Sequence, residues 1–297
     1  MSIGLPSPKT SEGALNQGSL STISTATSRI TGCPICSSLV GENTAANHSL
    51  NWNNSEKKCI VCGKNCGKPA LLDLFSGAGG AARGYQQAGF CVLGIDIKPQ
   101  PHYAGCRFHQ ADALAFPTEG FSAIHASPPC QAHTCLKTMW NAKKHEDLIP
   151  ETRARLKASG LPYVIENVPG APLLAGWHSI ILCGTMFGLR TKDGSGELRR
   201  HRLFECNFYP GLTPPCKHSG PVIGVYGGHG RDRRRTVTVT GHCGGYSRRD
   251  GLQSFPVKQQ QEAMGIDWMT GDELSQAIPP AYMEFIGRQL IKYLERA

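Results

Sequence analysis

From residue 69 onward, short apolar runs alternate with mixed stretches of helical character, the pattern of an α/β sheet. Ala70–Leu74, Cys91–Ile95, Ser122–Ala126, Tyr163–Glu166 and Ser179–Cys183 predict strands. The first four end at a polar or glycine-rich turn. Ligands of doubly wound sheets bind at the carboxyl ends of the strands. Near the C-terminus, Ala281–Glu295 predicts an amphipathic helix, with Met283, Ile286, Leu290, Ile291 and Leu294 on one face. No internal repeat is evident.

The N-terminal part reads differently. Residues 1–32 hold seven Ser, five Thr and three charged residues without apolar periodicity, a composition that cannot offset its ordering entropy. Residues 33–68 carry two knuckles, Cys33-Pro-Ile-Cys36 and Cys59-Ile-Val-Cys62. A two-residue gap lets both thiolates of a knuckle reach one ion, so Cys33, Cys36, Cys59 and Cys62 are candidate ligands of a structural zinc in a small ribbon-like module. Cys66 and His48 are further candidates, and plain reduced cysteines remain the alternative. A redox pair is disfavoured, because no strand–helix pattern accompanies either knuckle.

Composition narrows the class. At 297 residues, 40% hydrophobic and 18% charged, the chain can bury a sizeable core. Thirteen cysteines in a chain this long suit reduced thiols, ligands or catalysts in a reducing cytoplasm better than a disulfide scaffold. No run of eighteen apolar residues and no secretory signal pattern occurs, so neither a membrane span nor export is expected. The net charge of +9 favours nucleic acid or another polyanion as partner.

Three constellations carry chemistry. In Asp73-Leu74-Phe75-Ser76-Gly77-Ala78-Gly79-Gly80, a strand runs into a glycine turn and then a helix start, where a ligand can approach the backbone and free N–H groups. Asp96 follows seventeen residues after Gly79 at the end of the next strand, a position that hydrogen-bonds ribose in nucleoside-binding sheets. Asp112 stands where a further strand should end, and the three acid-bearing features together suggest an adenosyl ligand. In Ser127-Pro128-Pro129-Cys130-Gln131, two prolines fix the backbone and deliver a thiol at the mouth of the site. In Glu166-Asn167-Val168, a carboxylate closes a buried strand, which is costly unless it is paired or functional.

Taken in this order, the three constellations resemble the motifs of the DNA cytosine-5 methyltransferases, from about Leu71 to Leu294. Arg199-Arg200-His201-Arg202 is similar to the family's Arg-x-Arg element, and Ala277-Ile278-Pro279-Pro280 to the segment that folds back onto the cofactor. The resemblance implies a Rossmann-like, S-adenosylmethionine-dependent methyltransferase sheet. Cys130 would be the nucleophile that adds to C6 of a flipped-out cytosine, and Glu166 would hold the N3/N4 edge. Arg200 and Arg202 would engage O2 and a nearby phosphate. Asp73, Phe75, Gly77, Gly79, Gly80, Asp96, Ile97, Asp112 and Pro128 would line the cofactor. The implied partner is double-stranded DNA, met by a monomer in a bacterial or phage-infected cytoplasm. RNA cytosine methylation and an inactive DNA-binding relative are the alternatives.

The implied organisation is a catalytic region over 69–205, a small target-recognition region over 206–255 and a C-terminal return over 256–297. Positions 190–250 hold twelve Lys/Arg against five Asp/Glu, including Arg231, Arg233, Arg234, Arg235, Arg248 and Arg249, a surface suited to phosphate. Ser275-Gln276 stand where the family carries Gly-Asn, and Leu198 where it carries Gln.

Overall fold

The computed structural model describes residues 58–133, 145–176, 178–223, 225 and 255–296, and the backbone of two short strands at 236–237 and 245–246. The Ser/Thr-rich tail, Cys33, Cys36, His48 and the six arginines between 231 and 249 lie outside the described residues.

In chain order the strands are β1 (Ala70–Leu74), β2 (Cys91–Asp96), β3 (Arg107–Gln110), β4 (Ala123–Ala126), β5 (Tyr163–Asn167), β6 (Ser179–Leu182), β7 (Glu197–Leu198), β8 (Arg202–Cys206), β9 (Val222–Ile223), β10 (Thr236–Val237) and β11 (Gly245–Tyr246). The helices are α1 (Gly80–Ala88), α2 (Ile149–Ala158), α3 (Val257–Met264), α4 (Gly271–Gln276) and α5 (Pro280–Leu294). Seven strands form one sheet in the order β3-β2-β1-β4-β5-β8-β6. The first five are mutually parallel, whereas β8 runs antiparallel to both β5 and β6. This is the Rossmann-like, largely parallel sheet expected from the sequence, with an antiparallel strand inserted next to one edge. The small pairs β7–β9 and β10–β11 lie outside it.

All five expected strands form, within one residue at their ends. The period-2 geometry of a strand sends alternate side chains to opposite faces. Leu71, Val92, Ala123, Val164 and Phe204 therefore meet α1 and α5 on one face. Leu72, Leu93, Ile124 and Ile165 meet Phe116, Phe121 and Leu156 on the other. Burying each such large side chain contributes about 1.5–3 kcal/mol.

The C-terminal helix forms as expected, one residue earlier at each end, with Met283, Ile286, Leu290 and Leu294 buried and Ile291 packed at the margin. It crosses α1 at near-backbone contact. A Cβ on Gly84 would lie 2.7 Å from Met283 Cβ, and one on Gly287 would lie 2.6 Å from Ala88 Cβ. The last helix thereby returns to the first strand–turn–helix unit. Residues 59–66 also pack on the sheet: Val61 is fully buried among Ala70, Leu72 and Cys91. Among the described residues, no helix is long and apolar enough to cross a membrane.

Candidate active site

The turn after β1 has an uncommon backbone. Phe75, a non-glycine residue, has φ +57°, and Gly77 and Gly79 have φ +49° and +82°. Non-glycine residues in this region carry strain that the surroundings must hold. Asp96 does part of the holding: its Oδ2 accepts from the Gly77 N–H at 3.0 Å and its Oδ1 from the Lys98 N–H at 3.0 Å. Each carboxylate oxygen retains acceptor capacity for a ligand hydroxyl. Beside it Ile97 is 69% exposed, unusual for an isoleucine next to a core strand.

The other residues expected to line the cofactor fall into two groups. Gly77 has open space where a Cβ would stand, and so permits close approach. Gly79 and Gly80 are instead required by their neighbours. A Cβ on Gly79 would lie 2.9 Å from the Ala104 nitrogen, and one on Gly80 would collide with the Ile278 carbonyl oxygen. Asp112 is exposed and accepts from the Leu114 N–H at 2.9 Å, capping its own turn.

Asp73 sits differently from a ligand contact. It is fully buried and pairs with His125 Nδ1 at 2.8 Å, with Ser127 Oγ 3.5 Å from His125 Nε2. Burial pushes the Asp73 carboxyl up, and the His125 hydrogen bond opposes that shift. The Asp73–His125–Ser127 chain joins the ends of β1 and β4 beneath the Pro-Pro-Cys turn. Asp73 acts on the site as a strut rather than at its surface.

Cys130, Glu166 and Arg202 come together at the carboxyl ends of β4 and β5. Arg202 Nε donates to Glu166 Oε1 at 2.9 Å, and both side chains are largely buried. Antiparallel pairing makes this meeting: Asn167 is opposite Leu203, so Arg202 emerges beside the end of β5. Burial pushes the Cys130 thiol up, Arg202 and Arg200 pull it down, and Glu166 adds to the rise. Asn167 Nδ2 donates to the carbonyl of buried Pro128 at 2.9 Å, clamping the cysteine turn to β5. The Cys130 carbonyl accepts from the His133 N–H at 2.9 Å, and His133 pairs with Asp147.

Arg200 does not join them at the surface. It is 2% exposed, and its guanidinium donates to the carbonyls of Ala277, Val225 and Ser275 at 3.1, 2.5 and 2.7 Å. Tyr282 Oη donates to its carbonyl at 2.6 Å. The bonds with Ala277, Ser275 and Tyr282 tie Arg200 to the C-terminal return and that with Val225 to the segment after β9, so the guanidinium faces backbone carbonyls and not the surface where the expected contact with a base or phosphate would be made. Its charge still acts on Cys130. The return also covers the glycine turn, where Trp268 Nε1 donates to the Ala78 carbonyl at 3.1 Å.

Asn167 and His125 carry no signal of their own in the sequence. Asn167 lies inside the Glu-Asn-Val motif, which is the one available hint.

A thiol cluster lies on the far side of β2 from the glycine turn's helix. The sulfurs of Cys59, Cys62, Cys66 and Cys91 lie within 4.8 Å of one another. Gly63, at φ +67°, closes the first turn, with its N–H on the Cys59 carbonyl at 2.8 Å. The backbone at Lys64 draws the Cys62 thiol down to about 7, against the opposing effect of burial. The described partners of Cys59 and Cys62 are thus Cys66 and Cys91. The pairing with Cys33 and Cys36 expected from spacing falls outside the described residues.

No protein-family model and no curated protein matches the chain. Among solved structures, it is similar to a protein described as a candidate DNA modification methyltransferase encoded within an E. coli prophage, with 14% identity, TM-score 0.47, and coverage of 77% of this chain and 100% of that one. It is also similar to the S. pombe Dnmt2 methyltransferase, with 13% identity, TM-score 0.46, and coverage of 76% and 99%. A third is an RNA methyltransferase from Salinibacter ruber bound to S-adenosyl-L-homocysteine, with 14% identity, TM-score 0.27, and coverage of 50% and 87%.

Proposed function

We propose that this protein transfers a methyl group from S-adenosylmethionine to C5 of cytosine in double-stranded DNA, with Cys130 as nucleophile. The observation that carries the reading is the meeting of Cys130, Glu166 and Arg202 at the strand ends, held by the 2.9 Å Arg202–Glu166 pair.

The residues around the glycine turn fit an adenosyl group. Asp96 offers acceptors for two vicinal hydroxyls, exposed Ile97 offers an apolar face for a purine, and Gly77 leaves the backbone open. When bound, S-adenosylmethionine supplies an electrophilic methyl group. The chain's own residues make cytosine able to accept it.

Cys130 Sγ forms a bond to C6, and the displaced electron pair runs toward N3, where Glu166 holds the proton that N3 gains. Arg202 keeps the Glu166 carboxylate aimed and sets a permanent positive charge beside O2. C5, now enamine-like, becomes the nucleophile. Loss of the C5 proton to a base and cleavage of the C6–sulfur bond, with the N3 proton going back through Glu166, return Cys130 to its thiol form. Burial favours the protonated Cys130 thiol, so the sulfur must lose its proton as it adds, and passage of that proton through the Glu166 carboxylate to N3 balances the step. The same reading gives Cys59, Cys62, Cys66 and Cys91 a structural zinc, since four thiolates suit a closed tetrahedral site.

The test is expression of the full chain and its Cys130→Ala variant in a host without cytosine-5 DNA methylation. DNA and RNA are then hydrolysed separately for nucleoside mass spectrometry. Methylated deoxycytidine with the parent chain alone is the expected result. Methylated cytidine confined to RNA would reassign the substrate, and no product from soluble parent protein would overturn the reading.

A further inference from the structure

A second cluster of metal-binding side chains stands apart from the four thiols. Cys183 ends the run after β6, and His201 precedes β8 between the two arginines. Cys216 and His218 lie on the segment between β8 and β9. Their four ligand atoms all lie within 4.8 Å of one another. Cys183 Sγ is 3.4 Å from His218 Nε2, and Cys216 Sγ is 3.7 Å from His201 Nε2. The two imidazoles meet edge-on at 5.2 Å between centroids.

These spacings suit a tetrahedral ion. Zinc bonds of about 2.3 Å to sulfur and about 2.0 Å to nitrogen separate neighbouring S and N ligands by about 3.5 Å. Two thiolates also cancel the charge of a divalent cation, which matters beside Arg199 and Arg202. The segment has need of such a fastening. No residue from 211 to 220 is buried, and Leu212 is 86% exposed. Apart from the cluster, that stretch is held at its end, by Ser219 Oγ on Glu197 at 3.0 Å and by Arg199 on the Gly220 carbonyl.

We infer that Cys183, His201, Cys216 and His218 form a structural Cys2His2 zinc site that staples the segment after β8 to the base of the arginine element. A bound ion would fix His201, and with it the backbone of Arg200 and Arg202 on either side. With all four positions taken by protein, the ion leaves no place for a reacting water, so its role is to hold. The site stands without the methylation reading, because metal content is its readout.

The test uses the untagged full chain, purified from zinc-supplemented medium. Zinc per chain is measured by mass spectrometry for the parent, for His218→Ala and for Cys62→Ser. His218 is exposed, so its truncation leaves the core intact. One equivalent of zinc lost in His218→Ala, with the loss in Cys62→Ser independent of it, is the expected result. Undiminished zinc in His218→Ala overturns the site. Should that variant be insoluble, zinc-edge X-ray absorption of the parent decides: mixed sulfur and imidazole ligation supports the site. All-sulfur ligation, or a chain without zinc, rejects it.

Discussion

Arg202 on β8 and Glu166 on β5 are joined at 2.9 Å across an antiparallel strand pair, with side chains 13% and 8% exposed. Neither strand places its residue in the site alone. The reversed direction of β8 brings a cation to the end of β5, where the parallel strands deliver a thiol and a carboxylate.

Glu166→Gln keeps the size of the side chain and removes the charge. A group aimed at developing charge is worth about 10²–10³ in turnover. We expect a fall in kcat of that order, with cofactor affinity retained because Glu166 lies off the glycine turn. Single-turnover methylation alongside cofactor titration checks both parts.

Asn167→Ala removes the donor to the Pro128 carbonyl, leaving a buried acceptor unpaired. The expected effects are about 1–3 kcal/mol lower stability and a slower adduct-forming step, because the Cys130 turn loses its clamp. Trapping kinetics with a cytosine analogue that arrests the C6 adduct would show a slower rate at unchanged end point. An unchanged trapping rate would leave Asn167 a purely structural residue.

Gly80→Ala forces a methyl group against the Ile278 carbonyl, which is backbone and cannot rotate away. Overpacking of this kind costs about 1–3 kcal/mol. The strain falls where the C-terminal return meets the glycine turn, so cofactor binding should weaken together with thermal stability. Gly77→Ala meets no neighbouring atom but must adopt φ +49°. Its stability loss should therefore be the smaller, while its cofactor affinity falls through the added methyl. Calorimetric titration and thermal denaturation of both variants separate the two effects.

Acid stability should depend on Glu205, which is 1% exposed. Burial pushes its carboxyl up, but hydrogen bonds from Arg153 at 2.8–3.1 Å and from the Leu174 N–H at 2.9 Å overcome this and hold it below the usual 4.5. Among the described residues, Tyr163, Cys206 and, more remotely, Lys157 are further titratable groups that interact with it. A depressed carboxylate contributes stability that is complete above its unfolded value and is lost as pH falls through its folded value. Below pH 4.5 the parent should therefore lose stability steeply. Glu205→Gln should be about 3–5 kcal/mol less stable near neutrality, the cost of breaking a buried pair, with a shallower acid limb. Denaturant melts between pH 3 and pH 7 measure both slopes.

The strand positions and the last helix were legible in the chain because they depend on local pattern. Apolar runs as compact as Leu71–Leu74 can only be buried, and the spacing of Met283, Ile286, Leu290 and Leu294 fits only a helical face. The strand β3 was expected only as one that should end near Asp112 and had no range of its own, because Arg107–Gln110 is a half-exposed edge with no apolar run. In β8, Arg202–Cys206 reads as a charged motif although it forms a strand inside the sheet. The residue types of the site were equally legible, since Cys130, Glu166 and Arg202 each sit in a short local motif.

Partner choice was not legible, because it depends on which distant segments the sheet order brings together. Arg200 and Arg202 look equivalent in the chain, yet Arg200 lies in the connection before β8 and turns inward to the carbonyls of Ser275 and Ala277, while Arg202 opens the strand and reaches Glu166. Knuckle spacing pairs Cys59 and Cys62 with another knuckle, while packing against β2 supplies Cys91 from 29 residues beyond Cys62. Cys183, His201, Cys216 and His218 have no recognisable spacing, and only the antiparallel insertion of β8 beside β6 gathers them. Elements follow from local polarity along the chain. Which side chains share a site follows from strand order and direction, which no local segment contains.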